Sequence, residues 1–290
     1  MANTIALAKN YTSILDEVYK KASVTADLTS DNTMVRAGAN ANEIIYPQIS
    51  VSGLGDYDRN SGYTNGSVNL EWKTATFNYD RGTKISVDVM DNEESRDIAF
   101  TMAGSELMRT KVAPEADAFV FATLAGKTGI SKATPATYAD ATAFLTALIE
   151  AKNKMDEDEV PEEGRILYAT PTLLNGVMAL DTTKSREVLA TFSKTVKVPQ
   201  SRFYTAIDLL DGKTSGEEAG HYAKASTGKD INFMIVHKPA VIKFDKHTAS
   251  DIIPASANAN ADADISKYRK YGIVDVFKNK VAGIYLSHKA

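Results

Sequence analysis

DNEESRDIAFTMAGSELMRTKVAPEADAFVFATLAG, residues 91–126, decides how this chain is read. Asp91, Glu93, Glu94 and Asp97 crowd its first two turns, where the positive end of a helix favours carboxylates. Apolar residues then recur at helical spacing through Ile98, Met102, Leu107, Met108, Val112, Ala116, Phe119 and Val120. Gly126 closes the pattern as a C′ residue. At about 1.5 Å per residue the run makes a rod on the order of 50 Å long, far beyond an ordinary globular helix. Pro114 interrupts it, because a proline inside a helix loses one hydrogen bond and crowds the carbonyl four residues back. The reading is one bent rod. The alternative is two ordinary amphipathic helices, the second starting at Pro114.

Working outward, the whole chain has 290 residues, a net charge of −4, 43% hydrophobic and 24% charged residues. That composition is globular and large enough for a sizeable core. It carries no cysteine, which removes disulfides, thiolate nucleophiles and cysteine metal sites. The mild acidity argues against a dedicated nucleic-acid binder, which needs a basic stripe. No stretch approaches the roughly 18 to 20 apolar residues of a membrane span, and no membrane partner is expected. The N-terminus, MANTIALAKNYTSILDEVYKK, lacks the basic and apolar regions of a secretory leader.

Ahead of the rod, Ile5–Lys21 reads as a short helix and residues 37–42 as a polar stretch. Residues 1–43 together are too short to bury a core of their own and read as an arm. EIIYPQISV (residues 43–51) is strand-like, with Pro47 at an edge. SGLGDYDRNSGYTNGS (residues 52–67) is a polar turn region in which Asn65-Gly66 is a hairpin signal. Val68, Leu70 and Trp72 alternate, then Phe77 and Tyr79, then Ile85, Val87 and Val89. The segment therefore reads as a two-stranded excursion returning straight into the rod. A lone two-stranded ribbon is marginal in water, so the body of the chain or a neighbour must hold it.

Beyond the rod, Thr137–Met155 is an amphipathic helix, RILYA (165–169) a buried strand, and Thr170-Pro171 opens another helix. That order suggests an α/β layer. Residues 181–229 give no clear pattern. INFMIV (231–236) is a buried strand, and Val241–Phe244 begins another. Residues 271–277 and 282–286 read as a closing hairpin across Lys278-Asn279-Lys280.

Chemistry-bearing motifs fail on spacing. Gly126-Lys127-Thr128 and Gly212-Lys213-Thr214 lack the upstream glycine of a phosphate loop, where Phe121 and Ile207 stand. The Asp156–Glu159 run puts Pro161 where a calcium-binding loop needs glycine. Asp262 and Asp264 have no catalytic partner nearby in sequence, and the four histidines show no metal-ligand spacing. Neither catalysis nor a cofactor is expected.

The order of elements resembles the major capsid protein of tailed double-stranded DNA bacteriophages. The phrases that carry the likeness are KVAPEADAFVFATLA (111–125), EEGRILYATPTLLNGV (162–177) and ADADISKYRKYGIVDVFKNKVAGIYL (261–286). The resemblance implies an α+β fold with an N-terminal arm (1–43), an extended two-stranded loop (44–84) and a peripheral domain with a long spine helix (85–136). It further implies an axial α/β domain (137–240) and return strands (241–290). It implies pentamers and hexamers of this chain in an icosahedral shell, a separate scaffolding protein, a portal protein, and packaged double-stranded DNA held without sequence preference. The loop tip has no lysine, so covalent cross-linking through it is not expected. The intersubunit contact is then expected at Asp56, Asp58, Arg59, Tyr63, Trp72 and Arg81 of the loop, with Arg59 or Arg81 meeting Glu93, Glu94 and Asp97 at the start of the spine. Two other readings remain: an encapsulin-like nanocompartment shell, and an α/β enzyme of unknown activity.

Overall fold

The computed structural model describes residues 23–30, 36–37, 43–94 and 98–290; the expected helix at Ile5–Lys21 and most of the polar stretch after it lie outside them, as does Asp97. A 3-10 turn at Ala26–Leu28 precedes β1 (Arg36–Ala37), β2 (Glu43–Val51), β3 (Val68–Thr76) and β4 (Tyr79–Asp88). Next come α1 (Val89–Glu94), α2 (Ile98–Leu107), a π-turn at Met108–Val112 and α3 (Ala113–Ala125). β5 (Ser131–Lys132), α4 (Ala141–Glu157), β6 (Arg165–Ala169), α5 (Pro171–Ala179) and α6 (Thr183–Ala190) follow. The remaining elements are β7 (Lys194–Lys197), β8 (Ile207–Leu209), β9 (Tyr222–Lys224), β10 (Ile231–His237), β11 (Val241–Ile253), β12 (Ala263–Val276) and β13 (Ile284–His288).

The central layer is the mixed sheet β5-β13-β10-β6-β7. β6 and β10 are buried at every position, as continuous apolar runs covered on both faces should be. One face, with Ile166, Tyr168, Met234 and Val236, packs on Val120, Phe121 and Leu124 of α3. The other, with Leu167, Ala169, Phe233 and Ile235, packs on α4 and α5. Asp140 starts α4 by accepting the Ala143 amide at 2.7 Å.

From Ile98 to Ala125 the spine is continuous. Backbone angles stay right-handed helical at Leu107, Val112 and Ala113, on either side of the π-turn. Thus Pro114 does not break the rod. The wider turn just before it accommodates the missing donor and the crowded carbonyl. Gly126 caps α3 with φ −78°, an ordinary helical angle, rather than the left-handed C′ geometry expected of it.

Three sequence expectations are corrected. β4 does not continue the ribbon: it pairs along its length with β12 in the sheet β11-β12-β4. Alternation identifies a strand but not its partner. Nor do β12 and β13 form a hairpin. A 3-10 segment at Lys278–Gly283 separates them, and β13 crosses to pair with β10 and β5. Asn65-Gly66 is not the turn of the ribbon either. The chain reverses at Asp58–Gly62, where Gly62 takes φ 81°.

Gly272 of β12 lies beside a bulge in β11 between Asp245 and His247. A Cβ there would stand 2.8 Å from Asp245 Oδ1 and 2.9 Å from the Phe244 carbonyl oxygen. Gly272→Ala should therefore destabilise the subunit by about 1–3 kcal/mol, as an overpacked site does. An unchanged denaturation midpoint would show that the bulge yields at no cost.

Candidate assembly interface

β2 and β3 pair from Glu43/Thr76 at the root to Val51/Val68 at the far end. Directly opposed residues share a face, so Pro47/Trp72, Ile49/Leu70 and Val51/Val68 build an apolar ladder. Gln48/Glu71 and Ser50/Asn69 build the polar reverse. Its own chain holds the root, and Gln48 just beyond it, whose Nε2 donates to Asn279 Oδ1 at 2.7 Å. Ile44, Tyr46 and Ala75 are buried against Ile242 of β11 and Ile273 of β12, and the Tyr46 ring meets Phe277 edge-on at 5.0 Å. Beyond the root the ladder is in solvent: Ile49 is 61% exposed, Val51 68%, Val68 68% and Leu70 55%. A contiguous exposed apolar face of this kind marks an interaction surface. In the sequence the alternation is legible at Val68, Leu70 and Trp72, whereas Ile49 and Val51 show only strand-forming residue types.

The tip is ordered by itself. Asp58 Oδ1 accepts the amides of Asn60 and Ser61 at 2.6 and 2.9 Å, and these donors hold its carboxyl below the usual range. The Tyr57 and Tyr63 rings meet at a tilt of 59°, their centroids 4.8 Å apart. Asp56, Arg59 and Tyr63 are exposed, as is Trp72 further down the ribbon. Glu93 and Glu94 are exposed on α1. Arg81 is placed differently. It sits on β4, where its Nε donates to Glu115 Oε1 of α3 at 2.7 Å and its Nη2 donates to the carbonyls of Leu210 and His221.

A second feature went unread in the sequence. Asp117 of α3 is completely buried. It accepts from Ser23 Oγ at 2.8 Å, from the Val24 and Thr25 amides, and from Thr25 Oγ1 at 2.8 Å. Arg202 Nη1 completes the set at 2.9 Å, itself 3% exposed. Lys243 Nζ donates to the Thr25 carbonyl at 2.6 Å, and Ser30 Oγ donates to the Val241 carbonyl at 2.8 Å. Burial, with Lys270 nearby, pushes the Lys243 ammonium down to about 8. Residues 23–30 are thus strapped across the spine, the Gln200–Arg202 turn and β11. Among the described residues no cluster of metal-ligating side chains occurs.

No family model matches the chain, and no curated protein matches its sequence. Solved structures do match. The asymmetric unit of the bacteriophage PhiM1 mature capsid aligns over 98% of this chain and 92% of that one, with a TM-score of 0.67 at 14% identity. The capsid structure of cyanophage P-SCSP1u aligns over 98% and 93%, with a TM-score of 0.63 at 15% identity. A virus-like particle from Pyrococcus furiosus aligns over 83% and 86%, with a TM-score of 0.50 at 10% identity. At these identities the likeness is one of fold: the chain has the α+β fold of tailed-phage major capsid proteins over nearly its whole length.

Proposed function

We propose that this protein is the shell-building subunit of a tailed double-stranded DNA bacteriophage head, assembling as pentamers and hexamers into a closed icosahedral capsid. The observation that carries the proposal is the ribbon, rooted in its own chain by Ile44, Tyr46 and Ala75 and exposed at Ile49, Val51, Val68 and Leu70 of its apolar ladder. A ladder presented to a different surface of the next copy makes a heterologous contact, which closes into rings when the rotation allows. The exposed Glu93 and Glu94 offer such a copy a counter-charge for Arg59. An exposed ion pair of that kind contributes only about 0–1 kcal/mol, so the apolar face supplies most of the affinity and the charges set the register. A separate scaffolding protein, a portal protein and non-specifically held DNA complete the proposed set of partners.

The test is expression with and without a candidate scaffolding protein, read by negative-stain microscopy and sedimentation. Closed shells or isolated capsomers are the expected products. A monodisperse monomer with its scaffolding protein present would overturn the proposal. Shells that close around a protein cargo instead of DNA would support the nanocompartment reading. Replacing residues 53–66 by a two-residue turn should leave the circular dichroism spectrum of the subunit unchanged and sharply reduce shell yield. Normal assembly of that variant would remove the tip from the interface.

A further inference from the structure

The loop from Leu210 to His221 closes over the spine beside the π-turn, around a cleft of about 440 Å³. Its backbone takes left-handed angles at Gly212 (φ 72°), Gly216 (φ 90°), Gly220 (φ 59°) and His221 (φ 73°). Glycine takes that conformation freely and histidine does not, so something must hold His221 there. Part of the hold is Arg81, whose Nη2 donates to the carbonyls at both ends of the loop, Leu210 at 2.8 Å and His221 at 3.1 Å. The imidazole itself packs edge-on against Tyr222 at 4.4 Å. Its Nδ1 is buried, makes no hydrogen bond, and lies 3.5 Å from Glu115 Oε2. Glu115 Oε1 is engaged by Arg81 Nε at 2.7 Å and by the Tyr79 hydroxyl at 3.2 Å, while Oε2 accepts one long contact from Arg81 Nη2 at 3.4 Å. One carboxylate oxygen and one ring nitrogen therefore face each other just beyond bonding distance.

We propose that His221 is a proton-operated latch: its imidazolium closes on Glu115 and clamps the 210–221 loop to the spine, and loss of that proton frees the loop. A neutral imidazole meets the carboxylate either with a lone pair or with a long, weak N–H contact. The imidazolium is a donor at both nitrogens and turns the contact into a charge-assisted hydrogen bond. Closure and proton binding are linked, so acidification shifts the loop towards its clamped position.

The surroundings leave the switching to His221. β4 contributes Tyr79 and Arg81, the spine Lys111 and Glu115, the loop Asp211, Lys213 and Glu218, β9 Tyr222, and β12 Tyr268. Burial pushes the hydroxyls of Tyr79, Tyr222 and Tyr268 up, away from neutral pH. For Glu115 burial also acts upward, but contacts with His221 and Arg81 outweigh it and hold the carboxyl below its ordinary value. The Thr214 and Lys213 amides hold Asp211 down at about 2, and the loop's own amides hold Glu218 down. Lysine and arginine side chains keep their charge throughout the interval in which imidazoles titrate.

Amide hydrogen exchange on the unassembled full-length subunit tests this, so the outcome does not depend on shell formation. After correction for intrinsic rates, residues 212–220 should be about tenfold better protected near pH 5.5 than near pH 8. His221→Asn removes the titration while keeping a side chain that tolerates positive φ, and should abolish that difference. Glu115→Gln should likewise abolish the difference, because the imidazolium then has no carboxylate to close on. The His221→Asn arm stands even if the Glu115 variant, which loses the Arg81 ion pair, fails to fold. Equal protection at both pH values in the parent protein, or a pH difference surviving in His221→Asn, overturns the proposal.

Discussion

Ile49→Asp with Leu70→Asp should leave a folded subunit that no longer builds shells. The two residues face each other across β2 and β3 and are 61% and 55% exposed. The isolated subunit therefore loses little when they become polar. A neighbour covering the ladder loses about 1.5–3 kcal/mol for each apolar side chain it would have buried, and it must also desolvate two carboxylates. That penalty recurs at every equivalent contact of a closed assembly. Sedimentation and negative-stain microscopy should show only small species, with an unchanged thermal transition. Shells at the parental yield would mean that the ladder faces solvent in the assembly. Loss of the thermal transition would instead place it in the chain's own core.

For Asp117→Ala the damage should fall on the subunit itself. Removing one member of a buried ion pair leaves the other uncompensated, at a cost of about 3–5 kcal/mol. Here Arg202 is stranded, and the amides of Val24 and Thr25 and the hydroxyls of Ser23 and Thr25 lose their acceptor. At roughly 2–4 °C per kcal/mol for a chain somewhat smaller than this one, Tm should drop on the order of 10 °C. The Val24 and Thr25 amides should also lose hydrogen-exchange protection earlier than the central sheet does. A Tm within about 2 °C of the parent would show that the strap is held by other means.

The contrast between these two sites explains what the sequence could reveal. β6, β10 and the spine announce themselves because their burial follows local period and composition, and the structure places them within a few residues of the reading. Asp117 looks, in sequence, like one more helix acid. Its burial depends on Ser23–Thr25, more than ninety positions away, and on Arg202, 85 positions away in a stretch with no readable pattern. Partner choice is equally non-local. β4 has the alternation of a ribbon strand, yet it lies beside β12, and the short polar link after β12 turns the chain into another sheet instead of a hairpin. At the proposed interface, Arg59 and Tyr63 stand exposed, while Arg81 is occupied inside its own chain because Glu115 of α3 lies against β4. Only the folded register shows that.

The π-turn at Met108–Val112 also gives the spine a change of phase. A π-turn holds one residue more than an α-turn needs, and one residue is about 100° of helical rotation. Side chains before the π-turn are therefore rotated by about 100° from the phase an unbroken α-helix would give them relative to α3. α2 lies along β4 and β12, with Gly104 facing Ser266; α3 stays on the same two strands, with Phe119 against Tyr79 and Glu115 against Arg81, and presses Val120, Phe121 and Leu124 into the central sheet. The rod is thus a shared wall of two sheets, and the surplus residue sets which side chains of α2 meet β4 and β12.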